Sequence, residues 1–332
     1  MRRREFFGLI GGAATWPLTA NAQPQQAARR IGVISAVSER DPEAKPRLMA
    51  FQEGLQQLGW TAGRNLHIDF RWTSRGDVAV SEGMNALAKE MVALEPEVIL
   101  VQSNPGVAAI RQATSTIPIV FVSVADPVES GFVESLARPG GNITGFSNFE
   151  ASMGGKWLEA IKQIAPDVTR VFALLHVETA ANAGFLRTAQ SAASSLGVTL
   201  IGTSVHNASE IETALMALSA EVNCGLIVMP HPVTTANREL ILKMAAQYRL
   251  PAVYPFRYYA AAGGLMSYGI DLVDLYRRAA TYVDRILRGV KPRELPVQAP
   301  SKFEMVINLK TAKTLGLDVP LHLQQLADEV IE

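Results

Sequence analysis

The chain has 332 residues, 48% of them hydrophobic, with 31 basic and 31 acidic side chains and one cysteine. That length suits two domains of ordinary size, and with no basic surplus nucleic acid is not expected as a partner. The lone Cys224 excludes an internal disulfide, and the five histidines include no H-x-x-H or H-E-x-x-H pair, so no metal site and no cofactor are expected.

The first 22 residues read as a leader. Arg2-Arg3-Arg4 make a positive segment, and Phe6 to Leu18 is an apolar run too short to span a bilayer. Ala20-Asn21-Ala22 puts small residues where a signal peptidase reads them. Gly8, Gly11 and Gly12 do not form a dinucleotide-binding turn: their spacing is G-x-x-G-G, and Arg2 to Glu5 is no strand. A signal peptide over residues 1–22, cleaved after Ala22, is therefore expected. The run Arg3-Arg4-Glu5-Phe6-Phe7 resembles a twin-arginine signal, and both Tat and Sec export stay open. No cysteine follows the apolar run, so no lipid anchor is expected there, and the mature chain is expected free in the periplasm. Without the leader's three arginines and one glutamate it carries 28 basic and 30 acidic groups, about −2.

Short β-rich runs then alternate with helical stretches. Ile31 to Ile34 precedes a helix over Pro46 to Leu58, and His67 to Phe70 precedes one through Leu87, Met91 and Val92. Val98 to Val101 leads to a helix over Ala108 to Ala113, and Ile117 to Val124 closes the series. Near-continuous apolar strands in this β-α-β-α order predict a parallel sheet covered on both faces. Residues 138–150 are rich in Gly, Asn and Ser and break the rhythm. An amphipathic helix follows, with Met153, Trp157, Leu158, Ile161 and Ile164 on one stripe. A second unit restarts with strands at Val171 to Leu175, Thr199 to Ile201, Leu226 to Met229 and Ala252 to Tyr254. A strand at Gly264 to Gly269, a helix striped from Leu272 to Leu287 and a Pro-rich connector with one last strand remain. The leftover strand and helix are expected to return to the first unit, making the lobes discontinuous.

Ligands of open parallel sheets bind beyond the carboxyl ends of the strands. The candidates there are Ser35, Ser103, Asn104 and Ser123 in the first unit and Asn182, His231 and Tyr254 in the second, with Asp271 at the return strand. Two facing rims of small polar, amide and aromatic groups would make a cleft for a small polar or aromatic molecule. Each residue also has a plainer reading. Asn104-Pro105 is a good helix start, with Asn as N-cap and Pro in the first turn, and Asp271 is a good N-cap too. Ser35 and Ser103 suit ordinary loops, His231 a surface loop between two prolines, and Tyr254 the core. No catalytic residues are expected: nothing pairs a serine, histidine and aspartate, and there is neither a G-x-S-x-G elbow nor a Walker A motif.

"IPIVFVSVADPVESGFVESLARPGGNITG" (117–145) resembles the central signature of a bacterial family of ABC-transporter substrate-binding proteins, whose better-known branch is linked to tryptophan and other aromatic amino acids. "GGLMSYGIDLVDLYRRAATYVDRILRGVKPRELPVQAPSKFEMVINLKTAKTLGLDVP" (263–320) and the terminal "ADEVIE" are similar to the other end of the family, and "AFQEGLQQLGWTAGRNLHIDFRW" (50–72) fits its first helix and second strand. The resemblance implies an α/β, type I periplasmic binding-protein fold: two doubly wound parallel-sheet lobes on a three-segment hinge. It implies an N-terminal lobe over 29–146 plus 265–297 and a C-terminal lobe over 147–262 plus 301–332. It also implies a monomer that closes on its ligand and delivers it to an ABC permease in the inner membrane. Asp271 in "YGID" matches the family and is its leading candidate for a polar contact, such as one to an ammonium. "HVETAANAG" keeps only Asn182, and "MPHPVT" departs from the Asp-Asn pair of the aromatic branch, which puts amino-acid specificity in question. The alternatives are a ligand sensor of the same fold for a membrane receptor and a secreted α/β enzyme.

Overall fold

A computed structural model of the protein describes residues 28–73, 80–300 and 302–332; the leader expected over residues 1–22 lies outside them. The apolar runs of the first half become strands β1 (Arg29–Ser35), β2 (Leu66–Trp72), β3 (Val98–Gln102), β4 (Ile119–Val124) and β5 (Ile143–Ser147). Between them lie helices α1 (Ala44–Gln57), α2 (Val80–Val92) and α3 (Asn104–Ala113). The five strands form an all-parallel sheet in the order β2-β1-β3-β4-β5. Strands β3 and β5 are buried along their whole length, as strands with helices on both faces must be.

The second half runs α4 (Met153–Ile164), β6 (Arg170–Leu175), α5 (Ala180–Ala193), β7 (Thr199–Ser204), α6 (Ala208–Leu218) and β8 (Cys224–Val228). It continues through α7 (Pro232–Ala236), α8 (Arg238–Gln247), β9 (Ala252–Tyr254), α9 (Arg257–Ala261) and β10 (Met266–Gly269). Helix α10 (Leu272–Leu287), β11 (Glu304–Asn308), α11 (Leu309–Leu315), α12 (Leu321–Leu326) and β12 (Glu329–Ile331) complete the chain. Its sheet has the order β12-β11-β10-β9-β8-β6-β7, parallel except where β10 meets β11. The five strands β7-β6-β8-β9-β10 thus repeat the order of the first sheet.

This repetition corrects two expectations. The Gly/Asn/Ser-rich segment holds β5, the fifth strand of the first unit. The strand at 264–269, expected to return to the first lobe, is the fifth strand of the second and pairs with β9 and β11. What returns is the helix after it: α10 packs along α1 and against β3, β4 and β5. Helix α4, following β5, likewise packs on α5, β8 and β9 of the other lobe. The chain crosses a third time after Gln298, which bridges to Phe146 beside β5 before β11 joins the second sheet.

Helix α4 is held in the second lobe by an aromatic cluster and a close helix contact. Trp157 of α4 is fully buried, donates to the Tyr268 carbonyl at 2.8 Å and meets Phe149 and Phe185 edge-on. Gly154 of α4 lies so near α5 that an added Cβ would stand 1.9 Å from the Phe185 carbonyl oxygen. No helix among the described residues is long and apolar enough to cross a membrane.

Candidate functional site

A strand order of 2-1-3-4-5 opens a crevice where chains leave its first and third strands in opposite directions. In the first lobe those are β1 and β3; in the second, β6 and β8. The two crevices face each other, and between them lies a cavity walled by Ala36, Val37, Gln102, Ser103 and Asn104 on one side. Thr179, Asn182, Pro230, His231 and Thr235 form the other side. Arg47, Ser123, Asn148, Phe256 and Tyr258 complete most of the wall.

Five of the eight residues expected from the sequence reach this wall: Ser103, Asn104, Ser123, Asn182 and His231. Ser103 rather than Asn104 is the N-cap of α3; its Oγ accepts from Gly106 N–H at 3.4 Å, and its φ is +74°. Asn104 instead clamps the end of β4, donating to the Ala125 carbonyl at 2.7 Å and accepting from Ala125 N–H at 2.9 Å. Ser123 sits where the β4–β5 register slips, with φ of +55°, and accepts from Asn148 at 3.2 Å. Positive φ at two serines of one wall is backbone strain concentrated at a cavity, as functional sites commonly show. The Asn182 amide satisfies both neighbours when its nitrogen faces the Pro230 carbonyl (3.3 Å) and its oxygen the His176 N–H (3.1 Å).

The other three lie elsewhere. Ser35 is beneath the wall, its hydroxyl bonded to the Gln102 side chain at 3.1 Å. Tyr254 is fully buried in the core, stacked on Tyr259 at 4.9 Å, and burial holds its phenol protonated far above the ordinary range. Asp271 points into its own helix: one carboxylate oxygen accepts from Val273 N–H (2.7 Å) and Asp274 N–H (3.1 Å). It is the N-cap of α10 and lines a different depression from the cavity.

What sequence reasoning missed is the cavity's charge. Arg47 is 2% exposed, yet its Nε and Nη2 have no hydrogen-bond partner. Its nearest anion, Glu43, stands 3.7 Å away, and the Tyr258 ring lies 5.6 Å from the guanidinium carbon. The signal was present in the helix period: Ala44, Arg47, Phe51, Gly54 and Leu55 share the buried stripe of α1. Asn148 Oδ1 and His231 Nε2 are likewise buried without partners. His231 Nδ1 accepts from Val233 N–H at 3.2 Å, so a neutral ring carries its proton on Nε2. Desolvation keeps that ring neutral, holding its pKa well below the usual histidine value. The cavity therefore presents unused donors at Arg47 and His231 and an unused acceptor at Asn148. Buried polar groups are normally paired, and these three point to a missing polar partner.

Ion pairs join the lobes across the cleft. Asp41 receives a bond from Arg238 at 2.6 Å in a largely buried position. Arg187 and Glu129 meet at 3.1 Å on the exposed rim.

A histidine cluster, unexpected from the spacing of the sequence, stands at the cleft mouth. His206 binds Glu178 through Nε2 (2.8 Å) and Glu210 through Nδ1 (2.7 Å), and its hydrogen bonds to these carboxylates raise its pKa. His176 lies 3.2 Å from Glu178, stacks on His231 at 4.2 Å, and is pushed by burial toward the neutral form.

Comparison with known proteins agrees with this architecture. Residues 30–331 match the family described as ABC transporter substrate binding protein. A tyrosine-binding protein of Clostridioides difficile (strain R20291) is 25% identical over 289 residues, 87% of this chain and 81% of its own length. Among solved structures, an ABC domain in complex with L-Trp from Streptococcus pneumonia superposes with a TM-score of 0.83 at 24% identity, covering 92% of this chain and all of that one. A conserved domain protein from Vibrio cholerae O1 biovar El Tor gives 0.83 at 25% identity, covering 91% and 99%.

Proposed function

The chain belongs to the ABC transporter substrate-binding protein family, and on that premise we propose that its cleft captures a small organic carboxylate and presents it to an inner-membrane permease. The observation that carries the reading is Arg47. Its Nε and Nη2 lack hydrogen-bond partners, Glu43 contributes only a charge 3.7 Å away, and a planar carboxylate fits the open fork. Among the described residues no acidic side chain lines the cavity itself. Phe256 and Tyr258 add aromatic surface to the wall, and Asn148 Oδ1 offers an acceptor for one ligand donor. Aromatic amino acids belong to this class, which suits a tyrosine-binding relative and a structural neighbour holding L-Trp. Aromatic acids without an ammonium belong to it as well.

Binding without chemistry is the second part of the proposal. The His231 tautomer leaves no basic nitrogen free to take a serine proton: Nδ1 is occupied by Val233, and Nε2 bears hydrogen. The leader read over residues 1–22 supports export to the periplasm, where the mature protein would act as a monomer.

The test is a thermal-shift screen of residues 23–332 against amino acids, aromatic acids, nucleosides and sugars, each acid beside its amide. A ligand that binds the native state raises the melting temperature by mass action. Acids are expected to shift it and their amides not, with the ligand recovered unchanged. Equal shifts by acid and amide would sink the carboxylate reading, and consumption of the compound would make the protein an enzyme.

A further inference from the structure

Strands β6 and β7 pair in parallel with Leu175 opposite Ser204. The residues that follow them therefore emerge side by side: His176 and Glu178 after β6, His206 after β7. One donor atom from each lies within 4.8 Å of the others. Glu178 already bridges the two rings, one oxygen 2.8 Å from His206 Nε2 and the other 3.2 Å from His176 Nδ1.

We propose that His176, Glu178 and His206 bind one divalent transition-metal ion of the zinc class at the mouth of the cleft, with Glu210 orienting His206. Two imidazoles and a carboxylate are a borderline nitrogen–oxygen set, suited to zinc and its neighbours rather than to calcium or magnesium. Glu210 holds His206 Nδ1 at 2.7 Å. A carboxylate on the far nitrogen fixes the tautomer that turns the near nitrogen to a metal and makes it more basic. With metal–ligand bonds of about 2.1 Å, tetrahedral neighbours stand about 3.4 Å apart. Glu178 offers a different oxygen to each ring, at 2.8 and 3.2 Å, so small shifts reach that spacing, and the widest separation must close by at most roughly 1.4 Å. Glu178 and His206 are 56% and 44% exposed, which leaves them free to adjust toward His176.

A second observation stands beside the cluster. His231, 5% exposed and with Nε2 unpartnered, stacks at 14° on the His176 ring and limits its rotation. The adjoining depression is walled from the other lobe by Asn104, Ser130 and Phe132, so a further coordination position opens toward the cleft. The sequence carries no motif for this because one ligand lies 28 residues from the nearest of the others; strand register alone brings it in.

The test titrates zinc into tag-free residues 23–332 against a chromophoric chelator, with bound metal counted after gel filtration. The expected result is one zinc per chain. It is lost in His176→Ala and in His206→Ala, and weakened ten- to a hundredfold in Glu210→Gln. A wild-type protein that retains no zinc overturns the proposal without any variant. Full-strength zinc in both histidine variants overturns it too.

Discussion

Asp271 and Arg47 show how one residue type can be read two ways. Asp271 follows a strand and precedes a helix, where a ligand contact and an N-cap look alike in sequence. Its two hydrogen bonds to Val273 and Asp274 use the carboxylate for capping. Asp271→Ala should therefore cost about 1 kcal/mol of stability and leave ligand affinity unchanged, the reverse of what the sequence resemblance implies. Chemical denaturation beside a binding titration checks both halves, and a lost affinity with unchanged stability would restore Asp271 to the site. Arg47 was obscured by the ordinary expectation that a helix arginine is solvated. Only its place on the buried stripe distinguished it. Ser103, Asn104, Ser123, Asn182 and His231 were legible because a general rule puts ligands beyond strand ends. Asn148 was not, because the strand before it was not recognised.

At the scale of elements, the long apolar strands and the stripes of α4 and α10 were plain in the sequence, since 3.6 and continuous apolar patterns survive without tertiary context. Strand β5 was not. Its five residues sit in Gly- and Asn-rich surroundings, and their strand identity comes from pairing with β4 and Gln298. Missing it left four strands per unit and sent β10 to the wrong lobe. The exchange of helices after each fifth strand depends on close packing, most sharply at Gly154. Gly154→Ala should destabilise the protein by about 1–3 kcal/mol through overpacking against the α5 backbone. A fall in denaturation midpoint with an unchanged m-value is the expected signature. An unchanged midpoint would mean that α4 and α5 separate at no cost.

For the whole molecule, two lobes joined by three crossings suggest hinge closure. The pair Asp41–Arg238 favours the closed form because it forms only when the lobes meet. In Asp41→Asn the closed state should be less populated, and apparent affinity falls with that population. A roughly tenfold loss, about 1.4 kcal/mol, is expected, with a larger radius of gyration by small-angle scattering in the ligand-free protein. Unchanged affinity and radius together would show that the pair has no part in closure.

The Arg47 guanidinium, buried with no hydrogen bond at Nε or Nη2, is what marks the cleft for an organic anion. The most direct test is calorimetric titration of the strongest carboxylate ligand into wild type and Arg47→Met. Methionine keeps much of the side-chain volume and removes the buried charge, and Glu43, its 3.7 Å partner, is a third exposed and can be solvated, so the ligand-free variant should stay close to wild type in stability. Binding should weaken by a hundredfold or more, about 2.7 kcal/mol. A variant that folds normally and binds the same carboxylate with wild-type affinity would contradict the claim that this cleft is built to hold an organic anion.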